Sequence, residues 1–218
     1  MPVKVGLKFI EIWKDSMEKQ VCLYEQENAE KGQIVFYGPS NFTRWAPKYG
    51  MRPLREDILG KSGKPCAINR GFGSSCPEHQ LYYYPRLVRP LEPKVLVYTA
   101  ASGNSLAFGY TPEETFELAQ RVVIWALTDF PDIHIYLVGN APRKEMDKLE
   151  LEKRQHYNTM LQEFAEKTPN CHFVNPLEHL PFRAQELYVA DGVHFNQQGY
   201  DLYADYFREI LKDELENY

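Results

Sequence analysis

Five short apolar runs punctuate the chain, at residues 33–37, 66–69, 94–99, 134–138 and 172–174, and helix-patterned or loop-rich stretches lie between them. None of the runs alternates strictly between apolar and polar residues. A strand patterned this way expects to be buried on both faces, and strands alternating with helices expect to be joined by crossovers into a parallel sheet. The helical stretches carry their own signals. Residues 9–28 place Phe9, Trp13, Met17, Val21 and Tyr24 at helical spacing. Thr111, Pro112 and Glu114 form a capping box with proline at the first helical position, ahead of an apolar face of Phe116, Ala119, Val122, Val123, Ala126 and Leu127. Helices are also expected over 77–89, with Pro85 kinking or splitting the first of these, over 144–167, and from Asn196 onward with Tyr200, Tyr203, Phe207, Ile210 and Leu211 inward. The stretch from 46 to 64, with Gly50, Pro53, Gly60 and Gly63, reads as loop-rich.

A chain of 218 residues with 44% hydrophobic and 25% charged residues can bury one sizeable core, and residues 1–218 are read as one domain with the 9–28 helix packed on it. The formal charge of −5 and the lack of a dense basic cluster argue against nucleic acid as a partner. No stretch approaches the roughly 20 apolar residues of a membrane span, and the opening residues lack the continuous apolar centre of a signal peptide. The four cysteines, Cys22, Cys66, Cys76 and Cys171, are widely spaced without zinc-ligand rhythm. They are expected as free thiols in a reducing, cytoplasmic setting. No metal or cofactor is implied.

Open parallel sheets bind ligands at the carboxyl ends of their strands. There the chain places Gly38-Pro-Ser-Asn41, Asn69-Arg-Gly-Phe-Gly73, Ser102-Gly-Asn104, Gly139-Asn140 and Asn175-Pro176. Ser40 would stand directly after the first strand, where a serine commonly does no more than cap a helix or form a turn. As a nucleophile it needs a base and a group that orients the base. Asp191-Gly-Val-His194 supplies both on one loop, since a carboxylate three residues ahead of a histidine can accept from Nδ1 and leave Nε2 free. Donors for a developing oxyanion are available from the Asn104 side chain, the backbone of the Gly71–Ser74 turn and Ser40 itself. Asn104 could equally cap a turn, and Gly71 and Gly73 could serve only a bend.

Tyr37-Gly-Pro-Ser40, Asn69-Arg-Gly-Phe-Gly73, Gly103-Asn104 and Asp191-Gly-Val-His194-Phe-Asn-Gln-Gln-Gly199-Tyr200 resemble, in order and over nearly the whole chain, the four blocks of the SGNH, or GDSL-like, acylhydrolases. The last block is the most specific, and the Ser40-to-Arg44-Trp45 arrangement resembles one branch of the family. The resemblance implies a three-layer α/β/α, flavodoxin-like fold with a five-stranded parallel sheet. It implies Ser40 as nucleophile, His194 as base, Asp191 as its orienter, and Ser40, Ser74 and Asn104 as oxyanion donors. The sequence departs from the family pattern at Pro39, at Ser74 in place of a glycine, and at Ser102 and Ser105 beside Asn104. Pro85 also falls in a segment that the family uses as a helix. None of these changes removes a group that does covalent chemistry; they bear on the oxyanion-hole geometry.

The leading expectation is a serine ester hydrolase working through an acyl-enzyme. Its substrate would be a small ester: a short acyl ester, an acetylated sugar or a lysolipid. A degenerate family member that binds a carbohydrate or lipid without turnover is the alternative. A mononucleotide binder using residues 38–43 as a phosphate loop leaves Asp191 and His194 without a role. The oligomeric state is left open.

Overall fold

The computed structural model describes residues 7–218, so the first six residues of the expected domain lie outside it. In chain order the elements are α1 (Lys14–Glu25), β1 (Ile34–Gly38), α2 (Ser40–Thr43), α3 (Leu54–Asp57), β2 (Ala67–Gly71), α4 (Pro77–Leu87) and β3 (Val95–Thr99). They continue with α5 (Gly103–Phe108), α6 (Pro112–Asp129), β4 (His134–Val138), α7 (Lys148–Glu166), β5 (Cys171–Val174), α8 (Gln197–Ile210) and α9 (Lys212–Leu215). Short 3₁₀ turns fill several connections. The five strands form one sheet in the order β2-β1-β3-β4-β5, and every neighbouring pair is parallel.

The apolar runs are continuous because each strand feeds two cores. Val35, Tyr37, Leu96, Tyr98, Ile135 and Leu137 face one layer, built with buried residues of α1, α4, α6 and α7. Ile34, Phe36, Val95, Val97, Tyr136 and Val138 face the other, packed with Phe42, Trp45, Leu54, Tyr200, Tyr203 and Phe207. The fold is therefore a three-layer α/β/α sandwich around a five-stranded parallel sheet.

Local signals set the starts of several of the longer helices. Thr111 Oγ1 accepts from the Glu114 N–H at 3.2 Å, and Glu114 Oε2 accepts from the Thr111 N–H at 3.0 Å, closing the expected capping box. Asn196 caps α8 by accepting from the Gly199 N–H at 3.1 Å. Helix α4 runs through Pro85 to Leu87.

Two helices differ from expectation at their starts. The first begins at Lys14 rather than near residue 9, because Trp13 adopts a left-handed conformation (φ 63) that breaks it from the preceding turn. Trp13 is consequently 58% exposed rather than inward. Helix α7 begins at Lys148 rather than 144, because the Asp147 carboxylate accepts from the Glu150 N–H at 2.8 Å and acts as its cap. The residues before Asp147 stay irregular and pass over the carboxyl edge of the sheet.

That edge is tightly held. Asn69 Nδ2 donates to the Phe42 carbonyl at 2.7 Å while its Oδ1 accepts from the Gly71 N–H at 2.8 Å, tying the end of β2 to α2. The Tyr200 hydroxyl donates to the Asn41 carbonyl at 2.8 Å from the opposite side. A side chain at position 71 has no room: a Cβ there would lie 2.4 Å from the Thr43 nitrogen. Gly71→Ala should therefore destabilise the protein by about 1–3 kcal/mol through overpacking, read as a lowered urea midpoint with an unchanged slope.

Candidate active site

Ser40 is the first residue of α2, at the point where β1 ends in the middle of the sheet. Its Oγ lies 2.7 Å from His194 Nε2. His194 Nδ1 lies 2.8 Å from Asp191 Oδ2. The three side chains make one continuous hydrogen-bonded line, although 154 residues separate Ser40 from His194 in the chain.

The loop that carries the pair is shaped by the carboxylate itself. Asp191 Oδ1 accepts from the backbone N–H groups of Val193 at 2.9 Å and His194 at 3.0 Å, which folds the loop back on itself. Gly192 provides the left-handed residue that this turn needs (φ 67). Phe195, buried beside Tyr188, Tyr200 and Tyr203, anchors the loop in the core one residue beyond the imidazole. Arg44, one turn along from Ser40, places a guanidinium nitrogen 3.2 Å from Asp191 Oδ2.

These contacts set the protonation states. Burial alone would raise the Asp191 pKa, but the N–H groups of His194 and Val193 and the imidazole overcome it and bring it down to about 2. Burial also disfavours the charged imidazole, so the His194 pKa falls below its ordinary 6.5; Asp191 opposes the shift and the Arg44 charge adds to it. At neutral pH the arrangement is an ionised carboxylate, a neutral imidazole and a serine hydroxyl. That is the protonation pattern in which Nε2 can take a proton.

Of the other expected donors, Asn104 lines the cavity that holds Ser40, and Ser74 does not. Asn104, in α5, donates one Nδ2 N–H to the Ser75 carbonyl at 2.8 Å and retains a second. Asn104 and Ser40 line the same small cavity, of about 70 Å³. Ser74 adopts a left-handed backbone (φ 60), the conformation a glycine would take without penalty, so serine tolerates this geometry here. Ser102 is buried, and its N–H and hydroxyl both donate to Asn140 Oδ1, at 2.9 and 3.1 Å. Asn158 Oδ1 accepts from the Asn140 N–H at 2.9 Å, and Asn158 Nδ2 donates to Asn175 Oδ1 at 2.8 Å. This chain of amides links the carboxyl ends of β3, β4 and β5.

Sequence reasoning did not single out Arg143, Glu150 or Arg154. Arg143 and Arg154 line the cavity that holds Ser40, and Glu150 bonds to both guanidiniums. Glu150 and Arg154 read as an ordinary i,i+4 pair on a solvated helix face, yet the Arg154 side chain is only 12% exposed. A separate and larger cavity, about 710 Å³, lies along the edge of β2 and is lined in part by Tyr24, Glu27, Trp45, Tyr49 and Ile68. Size favours that cavity, but its lining holds no histidine. The chemistry favours the smaller one, where a hydroxyl is bonded to a base.

A three-layer α/β/α sandwich with a Ser-His-Asp line at the carboxyl edge of its parallel sheet defines a class of hydrolase-like architecture. The profile of the GDSL-like lipase/acylhydrolase family matches residues 37–202, and the chain belongs to that family. Among solved structures, a Streptococcus pneumonia protein provisionally described as a platelet activating factor is similar at 19% identity, with TM-score 0.72 and coverage of 95% of this chain and 96% of that one. The psychrotrophic esterase EstA from Pseudoalteromonas sp. is similar at 16% identity and TM-score 0.68, covering 85% of this chain and 99% of its own. An acetyl xylan esterase is similar at 18% identity and TM-score 0.67, covering 82% and 98%. No curated protein matches the chain in sequence. Among the described residues no helix is long and apolar enough to cross a membrane.

The electrostatics can be tested without a substrate. In an NMR titration the His194 imidazole should have its midpoint below 6.5. Arg44→Gln should move that midpoint up, by removing a nearby positive charge, and Asp191→Asn should move it down.

Proposed function

We propose that the protein is a serine ester hydrolase that works through an acyl-enzyme on Ser40, with His194 as base and Asp191 as its orienter. The observation that carries this reading is the unbroken line from Asp191 Oδ2 through His194 to Ser40 Oγ, with contacts of 2.8 and 2.7 Å. His194 Nε2 takes the hydroxyl proton as Ser40 Oγ attacks the ester carbonyl. The negative charge that develops on the carbonyl oxygen is held by the backbone N–H groups of Ser40 and Ser74 and the free amide N–H of Asn104. The imidazolium then returns the proton to the departing alkoxide, which leaves as the alcohol. Water attacks the acyl-serine with His194 again as base, the acid is released, and Ser40 regains its proton.

The departures from the family pattern leave this line intact, which supports turnover over ligand binding alone. Ser74 holds a glycine-like conformation, and the Ser102 hydroxyl is occupied in the amide chain rather than in the cavity. The cavity beside Ser40, about 70 Å³, is well below the roughly 300 Å³ or more of sites that enclose a drug-sized ligand. A short acyl group fits such a space better than a fatty chain. The fold shared with an acetyl xylan esterase is consistent with an acetyl ester of a sugar as one such substrate.

Intact mass after incubation with a fluorophosphonate should show one adduct on the wild type and none on Ser40→Ala. With a short-chain ester, Ser40→Ala and His194→Ala should each lower kcat by about 10³-fold or more. Asn104→Ala should cost about 10²–10³ in kcat with a smaller change in KM. The rate should fall on the acid side as His194 is protonated, with the midpoint below 6.5 that its depressed pKa dictates. Wild-type turnover by both Ser40→Ala and His194→Ala would overturn the mechanism.

A further inference from the structure

Two guanidiniums meet in the cavity that contains Ser40, and one carboxylate serves both. Arg154, from α7, is largely buried against Gly103: a Cβ on that glycine would lie 3.3 Å from its Nη2. Its Nε donates to Glu150 Oε1 at 2.9 Å, its Nη2 lies 2.8 Å from the same oxygen, and its Nη1 donates to the Ala141 carbonyl at 3.3 Å. Arg143, from the irregular segment ahead of α7, donates to Glu150 Oε2 through Nη2. Its Nε is buried and has no hydrogen-bond partner among the described residues.

This arrangement is costly for a structural device. A buried guanidinium N–H without an acceptor loses its hydration and gains nothing in return. Two like charges packed together repel, and the Arg143 charge adds to the burial that disfavours the charged form of Arg154. One glutamate leaves the pair with an excess of one positive charge. The Asp191 carboxylate is already engaged with Arg44 and His194 and does not compensate. Meanwhile the Arg143 side chain remains 37% exposed at the rim of the cavity, where it can meet a ligand. An anionic oxygen placed there would meet the exposed part of the guanidinium and balance the excess charge.

We propose that Arg143 and Arg154 form an anion subsite, and that the ester this protein hydrolyses carries a carboxylate or phosphate group within reach of Ser40. The proposal deepens the hydrolase reading and rests on it for where the ester sits. Arg154 forms the floor beside Gly103 and Asn104, and Arg143 supplies the rim. Glu150 fixes the orientation of both, so it acts as a positioning residue rather than a contact.

Two ester pairs separate the sources of negative charge. Monoethyl succinate against diethyl succinate tests a carboxylate on the acyl part. Acetylglycerol phosphate against acetylglycerol tests a phosphate on the alcohol part. Wild-type kcat/KM should favour the anionic member of at least one pair by about tenfold or more, chiefly through KM, as expected for a charge-assisted contact. The preference should shrink with added salt. Arg143→Gln should bring the ratio of anionic to neutral kcat/KM toward one, and Glu150→Gln, which keeps an acceptor oxygen for the guanidiniums but removes the negative charge, should raise it.

The same ratios can be read as Kd by calorimetry on Ser40→Ala, where no turnover is needed. Absence of turnover with persisting anion preference in binding would sink the hydrolase reading and leave the subsite standing. Turnover of neutral and anionic esters at equal efficiency, or a preference untouched by both Arg143→Gln and Glu150→Gln, would overturn the subsite and leave the hydrolase.

Discussion

Parallel pairing between strands that are buried on both faces is the constraint from which the rest of this molecule follows. Parallel neighbours cannot be joined by a tight turn, so each connection must cross over a face of the sheet, and helices cover both faces as a result. Every strand then ends at the same edge. The first residues beyond β1, β2, β3 and β4 gather there, and with them Ser40, the Gly71–Ser75 turn, Asn104 and Asn140. These segments are distant in the chain and adjacent in space because the sheet order, β2-β1-β3-β4-β5, sets β1 and β3 side by side in its interior.

A site assembled from separate loops needs each loop to be rigid, and polar side chains do much of that fastening. Asn69 and Tyr200 clamp α2 from two sides and so place Ser40. The amide chain from Ser102 through Asn140 and Asn158 to Asn175 keeps the ends of three strands in register, with its central members buried and bonded. The Asp191 loop holds itself, because the same carboxylate that accepts from the imidazole also accepts two backbone N–H groups. Removing water from these groups costs free energy, and the matched donors and acceptors offset that cost.

Much of the fold was legible because its signals are local. The apolar runs, the Thr111–Glu114 capping box and the Asn196 cap depend on neighbours within a few residues, and the strands at 134–138 and the helix after Pro112 fall where those signals place them. The line of Ser40, His194 and Asp191 was legible for a different reason: an Asp three residues before a His can reach it within one loop, and a serine beyond a strand lies at the ligand-binding edge of such a sheet. The misreadings have physical causes as well. Trp13 fits a helical stripe, but its left-handed backbone turns it out to solvent. The helix expected from residue 144 starts at Lys148, because the Asp147 cap delays it, and the irregular segment ahead of it carries Arg143 into the cavity lining.

The sequence by itself determined the layered architecture, the placing of most elements and the residue types available at the carboxyl edge, since hydrophobic period and capping chemistry act over short spans. Only the tertiary structure decided which charges face one another. Arg154 and Glu150 carry the pattern of a solvated helix pair, and nothing within α7 distinguishes them from its other charged residues. Their burial, the sharing of Glu150 with Arg143 and the contact with Gly103 arise from how α7 packs over the ends of β3 and β4. Desolvation and charge pairing depend on distances across the fold, and no local pattern encodes those distances.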